Sequence, residues 1–270
     1  MGMRERKAVV AGMFYPADPE ELQEVIRSFL IKPEKLLEAK AVVVPHAGYV
    51  YSGSVAGRVF SSVHLPKRFI LLGPNHTGRG KALALAPEGW WRTPLGPVSI
   101  DAEINRCLLQ ECPELKEDLT AHMGEHSLEV QIPFIQVVQP DFQFSAICVG
   151  TSDYSALENL GHAMARTIQS VNKPVLLVAS SDMTHYEPAS VAAEQDRFAI
   201  DRMLQVDARG LYQVVVERDI SMCGFAPAVA VLVAARDLGA STGHLLRYSN
   251  SGETSGDYHR VVGYAGIAIT

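Results

Sequence analysis

Three apolar, strand-like runs in this chain end in turn residues and are followed within a few positions by a histidine. They lead into PHAGY at 45–49, GPNH at 73–76 and SSDMTH at 180–185. Short apolar runs bounded by turn residues are typical of buried strands, and α/β sheets bind ligands beyond the carboxyl ends of their strands. Three histidines placed in this way predict one shared site, and metal binding is the simplest reason to gather imidazoles.

Strand-like and helical segments alternate along the whole chain, with no linker, low-complexity break or internal repeat. Helical apolar spacing over 156–170, for example, is followed by the strand-like run 174–180. This alternation predicts an α/β fold: a single three-layer domain over residues 1–270, with helices on both faces of a central, mostly parallel or mixed sheet. The closing strands near 244–249 and 261–269 favour the mixed form.

Local signals predict individual elements. Asp101 is suited to cap a helix over 101–110, because a carboxylate accepts hydrogen bonds from the first free N–H groups of a helix. The Trp90–Trp91 pair is predicted to lie in a loop between two short strands. Apolar spacing over 127–138 predicts a helix that Pro133 bends or begins.

Composition excludes several classes of partner. The 270 residues are 47% hydrophobic and 20% charged, with a formal net charge of -6 and no basic run that could neutralise a phosphate backbone. We therefore expect no nucleic-acid partner. No apolar run approaches the roughly 20 residues of a membrane span, and no hydrophobic signal core is present at the start. Four cysteines without CxxC pairing indicate a reducing compartment, so we expect a cytoplasmic protein.

Two of the histidines lie in loops that admit a simpler explanation. His46 stands between Pro45 and the turn residue Gly48, where a histidine can simply bond a backbone carbonyl. His76 follows Gly-Pro-Asn, a good turn former, so it can serve the shape of the loop alone. The repetition of the pattern favours a ligand role for both, since histidine is the commonest metal ligand.

Asp182 and His185 are three residues apart and would share a face if the chain made a helical turn here. A carboxylate beside an imidazole fixes its tautomer and raises its basicity, which suits acid–base chemistry or support of a metal ligand. The alternative is that Asp182 caps a helix and His185 is exposed.

Glu125 and His126 precede the predicted helix over 127–138. They either form a solvated helix start, with Glu129 on the capping side, or face the cleft. Position in the sequence supports both interpretations equally.

Cys223 lies in a turn directly before an apolar helix. A thiol at a helix N-terminus is expected to have a lowered pKa, which suits metal ligation or nucleophilic catalysis. The alternative is a small buried apolar side chain, the usual fate of a free cysteine, but the adjacent Gly224 and the nearby proline indicate a shaped loop and favour function. The other cysteines lie in helix or strand patterns and are predicted to be structural.

Seven motifs spread over nearly the whole chain resemble those of the Memo family, which takes its name from a mediator of cell motility in animals. They are AGMFYP at 11–16, PHAGY at 45–49, GPNH at 73–76, EHSLEVQ at 125–131, SSDMTHY at 180–186, CGFAP at 223–227 and VVGYA at 261–265. The compact chain is similar to the microbial members of that family.

The resemblance implies a fold like that of class III extradiol dioxygenases, iron enzymes that use two histidines and a carboxylate to open catechol rings. In Memo proteins the corresponding pocket contains two histidines and a cysteine, which by motif are His46, His76 and Cys223 here. Asp182 and His185 also line the family's pocket, as acid–base or supporting groups. The implied cofactor is a metal ion, Fe(II) or Cu(I), with Zn(II) as a further candidate, because a thiolate favours softer metals.

The motifs and the resemblance leave three candidate functions. The first is a metal-dependent oxidoreductase, with the metal on His46, His76 and Cys223 and with proton transfer by His185, oriented by Asp182. The second is a non-catalytic scaffold that binds a peptide or small molecule in a degenerate dioxygenase cleft. The third is nucleophilic catalysis by Cys223 with His185.

Overall fold

Strands and helices alternate, as predicted, through residues 4–270, the part of the chain that the computed structural model describes. The strands are β1 (Arg4–Arg6), β2 (Ala41–Val44), β3 (Arg68–Pro74), β4 (Leu83–Leu85), β5 (Gly89–Thr93), β6 (Gly96–Ser99), β7 (Lys116–Glu117), β8 (Gln143–Val149), β9 (Leu176–Ser180), β10 (His185–Glu187), β11 (Gly243–Asn250) and β12 (Val261–Ile269). The helices are α1 (Pro19–Phe29), α2 (Tyr49–Ser62), α3 (Ala102–Glu111), α4 (Ile132–Val138), α5 (Tyr154–Val171), α6 (Ala189–Leu204), α7 (Ala208–Glu217), α8 (Phe225–Asp237) and α9 (Gly252–Ser255).

Within the described chain the strands form one sheet of nine strands and a small sheet of three. The large sheet has the order β10-β12-β2-β9-β3-β8-β4-β7, and β11 pairs with β12. Its centre, from β2 through β9 and β3 to β8, is parallel, whereas β12 runs antiparallel to β2 and β4 runs antiparallel to β8. The small sheet has the order β1-β5-β6. The predicted mixed sheet is confirmed.

Alternating residues of the central strands point into two separate cores, because successive side chains of a strand face opposite sides. In β2, Val42 and Val44 pack with the layer of α1, α2 and α4, and Val43 packs with the layer of α3 and α5 to α8. The fold therefore has three layers. The most apolar helix, α8, is buried inside the protein, and no helix in residues 4–270 has both the length and the apolarity of a membrane span.

The Trp90–Trp91 segment is a strand, so the predicted loop was wrong. It forms β5, which lies between β1 and β6, and the buried Trp91 ring contacts Phe144 edge-on at 5.4 Å between ring centres. The pairing partner β1 lies more than eighty residues earlier in the chain. A prediction from the local sequence pattern cannot identify a pairing strand that is so distant in the chain.

The segment 127–138 is only partly the single helix that was predicted. A 3-10 turn at Glu129–Gln131 leads into α4, and Pro133 lies in the first turn of that helix. Asp101 does cap α3, accepting hydrogen bonds from the backbone N–H groups of Glu103 and Ile104.

A buried ion pair joins the N-terminal segment to residues 122–131. Arg6 donates from Nη1 to Oε2 of Glu129 at 2.7 Å, and their side chains are only 3% and 1% exposed. Arg6 also donates to the backbone carbonyls of His122 and Glu125, at 2.8 and 2.5 Å. Its guanidinium carbon lies 4.1 Å from the centre of the Trp91 ring. Each of the three guanidinium nitrogens therefore has an acceptor of its own, and the planar, rigid fork of the arginine fixes their relative positions.

The Glu129 carboxylate gathers further donors from the N-terminal segment. Its Oε1 accepts the Tyr15 hydroxyl at 2.7 Å, and the backbone N–H groups of Val9 and Val10 lie 3.0 and 3.1 Å from the same oxygen. The charge is therefore both paired and hydrogen-bonded, which is the condition for burying a carboxylate without a large penalty.

Replacing Arg6 by methionine should lower the free energy of unfolding by about 3–5 kcal/mol, because the Glu129 carboxylate would remain buried without its cation. Urea denaturation followed by circular dichroism measures this loss. Lys67→Met is the control: it breaks the exposed Lys67–Asp141 pair, whose side chains are 69% and 80% exposed, and should cost under about 1 kcal/mol. Equal and small losses in both variants would show that the buried pair does not stabilise the fold.

Candidate metal centre

The carboxyl ends of adjacent parallel strands bring two of the three strand-end histidines together. β2, β9 and β3 lie side by side in that order. His46 comes two residues after the end of β2, and His76 comes two residues after the end of β3. Their ring centres are 5.1 Å apart, with the rings edge to face.

Cys223 completes a group of three ligand atoms with His46 and His76, all within 4.8 Å of one another. Its Sγ lies 3.2 Å from Nε2 of His46. The loop that carries Cys223 can pack against the end of β9 because residue 224 is glycine: a Cβ there would lie 2.3 Å from the carbonyl oxygen of Ser180. Two imidazoles and one sulfur are a donor set suited to Cu(I), Zn(II) or Fe(II).

His46 is the buried residue of the group, with only 2% of it exposed. Its backbone N–H donates to Oδ1 of Asp182 at 2.7 Å, and its Nδ1 lies 2.9 Å from the hydroxyl of Ser180. Burial lowers the pKa of His46 well below its usual value, and the neighbouring His76 and His126 lower it further. The ring is therefore neutral at physiological pH, which is the form that binds metals.

Glu125 orients the more exposed imidazole of the group, that of His76, whose side chain is 34% exposed. The Glu125 carboxylate accepts Nδ1–H of His76 at 2.9 Å and the backbone N–H of His76 at 2.7 Å. The backbone N–H groups of His126 and Ser127 donate to the same carboxylate at 2.9 and 2.8 Å. A carboxylate only accepts, so the proton of neutral His76 is on Nδ1, and Nε2 is free for a metal.

The electrostatics of this pair follow from those contacts. Burial raises the pKa of Glu125, but the hydrogen bond and charge of His76, together with the Ser127 N–H, outweigh it and lower the pKa to about 2. Burial lowers the pKa of His76, yet Glu125 outweighs it and the net shift is upward. Glu125 therefore lies in the cleft as a carboxylate, not at a solvated helix start.

His126 lies between His76 and Phe14. Its ring stacks on His76 with the centres 4.8 Å apart, and it contacts Phe14 at 4.7 Å. Its Nδ1 is 3.6 Å from Oε1 of Glu125, which is too long for a hydrogen bond. His76, Glu125 and His126 also have ligand-like spacing. Because the Glu125 oxygens already accept several N–H groups, we interpret these residues as support for His76, not as a second cation site.

Asp182 and His185 lie beside the centre but are not hydrogen-bonded to each other in the described chain. Asp182 accepts the backbone N–H of His46, and Nδ1 of His185 lies 2.8 Å from the carbonyl oxygen of Ser221. The helical turn that would have placed the two side chains on one face is absent, because His185 begins the short strand β10, which pairs with β12. The next residue, Tyr186, has a left-handed φ of 63°.

The expected lowering of the Cys223 pKa was wrong. Burial raises the pKa of this thiol, and the charge of Asp182 raises it further; the backbone N–H of Gly224 opposes the shift only in part. Proximity to the start of α8 does not overcome desolvation. The metal-free site therefore holds a thiol, and forming the thiolate requires a cation beside it.

A cleft of about 1140 Å³ opens at the opposite edge of the sheet, at the amino ends of β3 and β8. Three basic residues that line it, Lys67, Arg68 and Lys173, each form an ion pair with an acidic neighbour. Because these basic groups are already paired, the cleft is a weaker candidate for a functional site than the histidine and cysteine cluster.

Sequence reasoning did not single out Ser180 and Gln131, which contact each other and the His46 loop. Ser180 carried a signal: it is a polar residue at the last position of an apolar strand that leads to the site. Gln131 carried none, because its role depends on where the 3-10 turn packs.

Comparison with known proteins agrees with the motifs. The family described as Memo-like protein matches residues 6–268. A MEMO1 family protein of Methanopyrus kandleri is 43% identical over 279 residues, covering 98% of this chain and 99% of the relative. A MEMO1 family protein of Aquifex aeolicus is 40% identical over 267 residues, with the same coverage. An uncharacterized protein from Escherichia coli K12 of known structure shares the fold, with a TM-score of 0.55 at 10% identity over 86% of this chain and all of that one.

Glu125→Gln should destabilise the metal-free protein, because an amide NH₂ would face N–H groups that need an acceptor. Since the folded pKa of Glu125 is about 2, below the ordinary value of 4.5 for a glutamate, its stabilisation is complete above about pH 4.5 and is lost as the pH falls towards 2. The stability difference between the parent and Glu125→Gln should therefore narrow by about 1 kcal/mol between pH 4.5 and pH 3, a range that lies well below the raised pKa of His76. Urea denaturation with a chelator present measures it.

The matched control is Glu253→Gln, which changes an exposed carboxylate that pairs with Arg247. Its effect should be small and should vary little over this pH range. A Glu125→Gln difference that stays constant, or widens as the pH falls, would contradict the role assigned to the carboxylate.

Proposed function

The chain belongs to the Memo-like protein family, and from that premise we propose that it is a metal-dependent oxidoreductase with one metal ion held by His46, His76 and Cys223. The observation that carries the proposal is the approach of three different ligand atoms, from three distant segments, to within 4.8 Å of one another.

The residues present fit a metal ion of soft or borderline character, with one or two positive charges. Nε2 of His76 is free because Nδ1 is committed to Glu125, and Nε2 of His46 faces the Cys223 sulfur at 3.2 Å. Sulfur in the place of a carboxylate favours Cu(I) and Zn(II), and it alters the redox behaviour of Fe(II). The bound metal would supply the redox chemistry that an oxidoreductase needs.

The protein's own groups position the ligands and handle protons. Asp182 holds the backbone of His46 in place. His185 is the proton-transfer residue of the proposal: a carbonyl can only accept, so neutral His185 donates Nδ1–H to Ser221 and keeps Nε2 able to take or give a proton. Its orientation therefore comes from Ser221, and Asp182 acts on His46.

The surroundings support a site that works in a reducing compartment. All four cysteines are unpaired, which suits the cytoplasm and leaves Cys223 available as a ligand. The substrate class that we infer is a small molecule or peptide that enters beside the exposed side of His76. A role in nucleic-acid binding is not part of the proposal.

Elemental analysis of protein purified without oxygen should show about one Fe or Cu ion per chain, and both His46→Ala and Cys223→Ser should lose most of it, since each removes a ligand. Cys107→Ser is the matched control, because Cys107 is also a partly exposed free cysteine but lies on α3, away from the cluster. It should retain the full metal content.

A folded parent protein without metal, which also takes up none from added Fe(II) or Cu(I), would overturn the proposal. That result would favour a binding protein that uses the same cleft without catalysis. Equal metal loss in Cys223→Ser and Cys107→Ser would likewise exclude Cys223 as a specific ligand.

A further inference from the structure

We propose that Ser180 and Gln131 are positioning residues of this centre, and that they hold His46 in the tautomer with its proton on Nδ1, so that the Nε2 lone pair faces the Cys223 sulfur. The consequence for metal binding rests on the proposed function. The tautomer itself is a property of the metal-free chain and can be tested separately.

The Ser180 hydroxyl has three neighbours and only one proton to give. Its oxygen lies 2.7 Å from the carbonyl of Ser127, 2.9 Å from Nε2 of Gln131 and 2.9 Å from Nδ1 of His46. A carbonyl can only accept, so the hydroxyl proton goes to Ser127. The two lone pairs of the oxygen are then available for the two nitrogen atoms.

Gln131 is the second donor to the Ser180 oxygen, so the hydroxyl proton does not go to it. Its Nε2 donates to the carbonyl of Pro45 at 2.9 Å as well as to Ser180 at 2.9 Å. Because the Pro45 carbonyl is an acceptor, the amide nitrogen, not its oxygen, must point this way, and Ser180 cannot donate to it. The Ser180 hydroxyl is left as an acceptor towards His46, whose Nδ1 must therefore carry a proton.

Burial strengthens this assignment of the His46 proton. His46 is 2% exposed, and Ser180 and Gln131 are 0% and 1% exposed, so water competes little for these groups. With the proton on Nδ1, Nε2 has its lone pair directed at the neighbourhood of the Cys223 sulfur, 3.2 Å away. Glu125 imposes the same tautomer on His76 from the other side of the centre. Two unrelated acceptors, a hydroxyl and a carboxylate, thus prepare both imidazoles to bind through the same atom.

Long-range ¹H–¹⁵N NMR of metal-free, ¹⁵N-labelled protein at pH 7.5 reports the tautomer directly, with His46 signals identified by their loss in His46→Asn. The parent should show the Nδ1–H form. Ser180→Ala should shift His46 to the Nε2–H form, because the acceptor for Nδ1–H is gone and the Cys223 sulfur can accept from Nε2. An Nε2–H parent, or an unchanged tautomer in Ser180→Ala, overturns the inference.

Ser145→Ala is the matched control. Ser145 is a fully buried serine on β8 in the same sheet, and its hydroxyl has no hydrogen-bond partner in the described chain. Ser145→Ala removes a hydroxyl oxygen, as Ser180→Ala does, and should leave the tautomer of His46 unchanged. If Ser180→Ala fails to fold, Ser180→Cys serves in its place: it keeps the shape of the side chain but replaces the hydroxyl oxygen by sulfur, a weak acceptor, and should give a mixture of tautomers. A single Nδ1–H form in Ser180→Cys then overturns the inference.

Competition with a chromophoric chelator for Co(II) gives the second readout. Ser180→Ala should bind roughly 10–100-fold more weakly than the parent, as expected when a partner of a ligating histidine is lost, and Ser145→Ala should bind within about twofold of it. A shifted tautomer with unchanged affinity would overturn the positioning role. A parent that binds no metal refutes the proposed function, and the NMR result then decides the tautomer on its own.

Discussion

The buried ion pair between Arg6 and Glu129 is the interaction on which the site depends. It anchors the N-terminal segment against residues 122–131, and Arg6 reaches the carbonyls of His122 and Glu125 from the same guanidinium. Residues 122–131 supply the Glu125 carboxylate, the His126 ring and the Gln131 amide. Neither His46 nor His76 lies on residues 122–131, yet each takes its orientation from them, directly for His76 and through Ser180 for His46.

His46 and His76 differ in burial but have the same pattern of hydrogen bonds. His46 is enclosed, so burial lowers its pKa and keeps it neutral without help from a charge. His76 is partly exposed, and the Glu125 carboxylate that orients its ring also raises the pKa of His76. In both, Nδ1 meets an oxygen that accepts, and Nε2 is left free. The thiol of Cys223 is the reverse case: its surroundings favour the protonated form until a cation arrives.

The sequence predicted the strands that lead to the candidate site because their apolar runs and turn residues are local signals. β2, β3 and β9 were expected nearly where they lie, and parallel strands carry their carboxyl ends to one edge. The prediction of one face for Asp182 and His185 assumed a helical turn. It did not hold because β12 pairs with β10 and draws His185 towards Ser221. The Trp90–Trp91 loop prediction was wrong for the same kind of reason, since distant strands decided it.

By itself, the sequence determined the alternation of strands and helices, the family, and the residue types at three strand ends, because each is written in contiguous residues. Only the tertiary structure decided that Glu125 faces the cleft, that Arg6 is buried, and that Ser180 contacts both His46 and Gln131. These outcomes depend on hydrogen bonds between residues 49 to 134 positions apart. A buried donor or acceptor must find a partner wherever the folded chain provides one, and no local pattern records which distant group that will be.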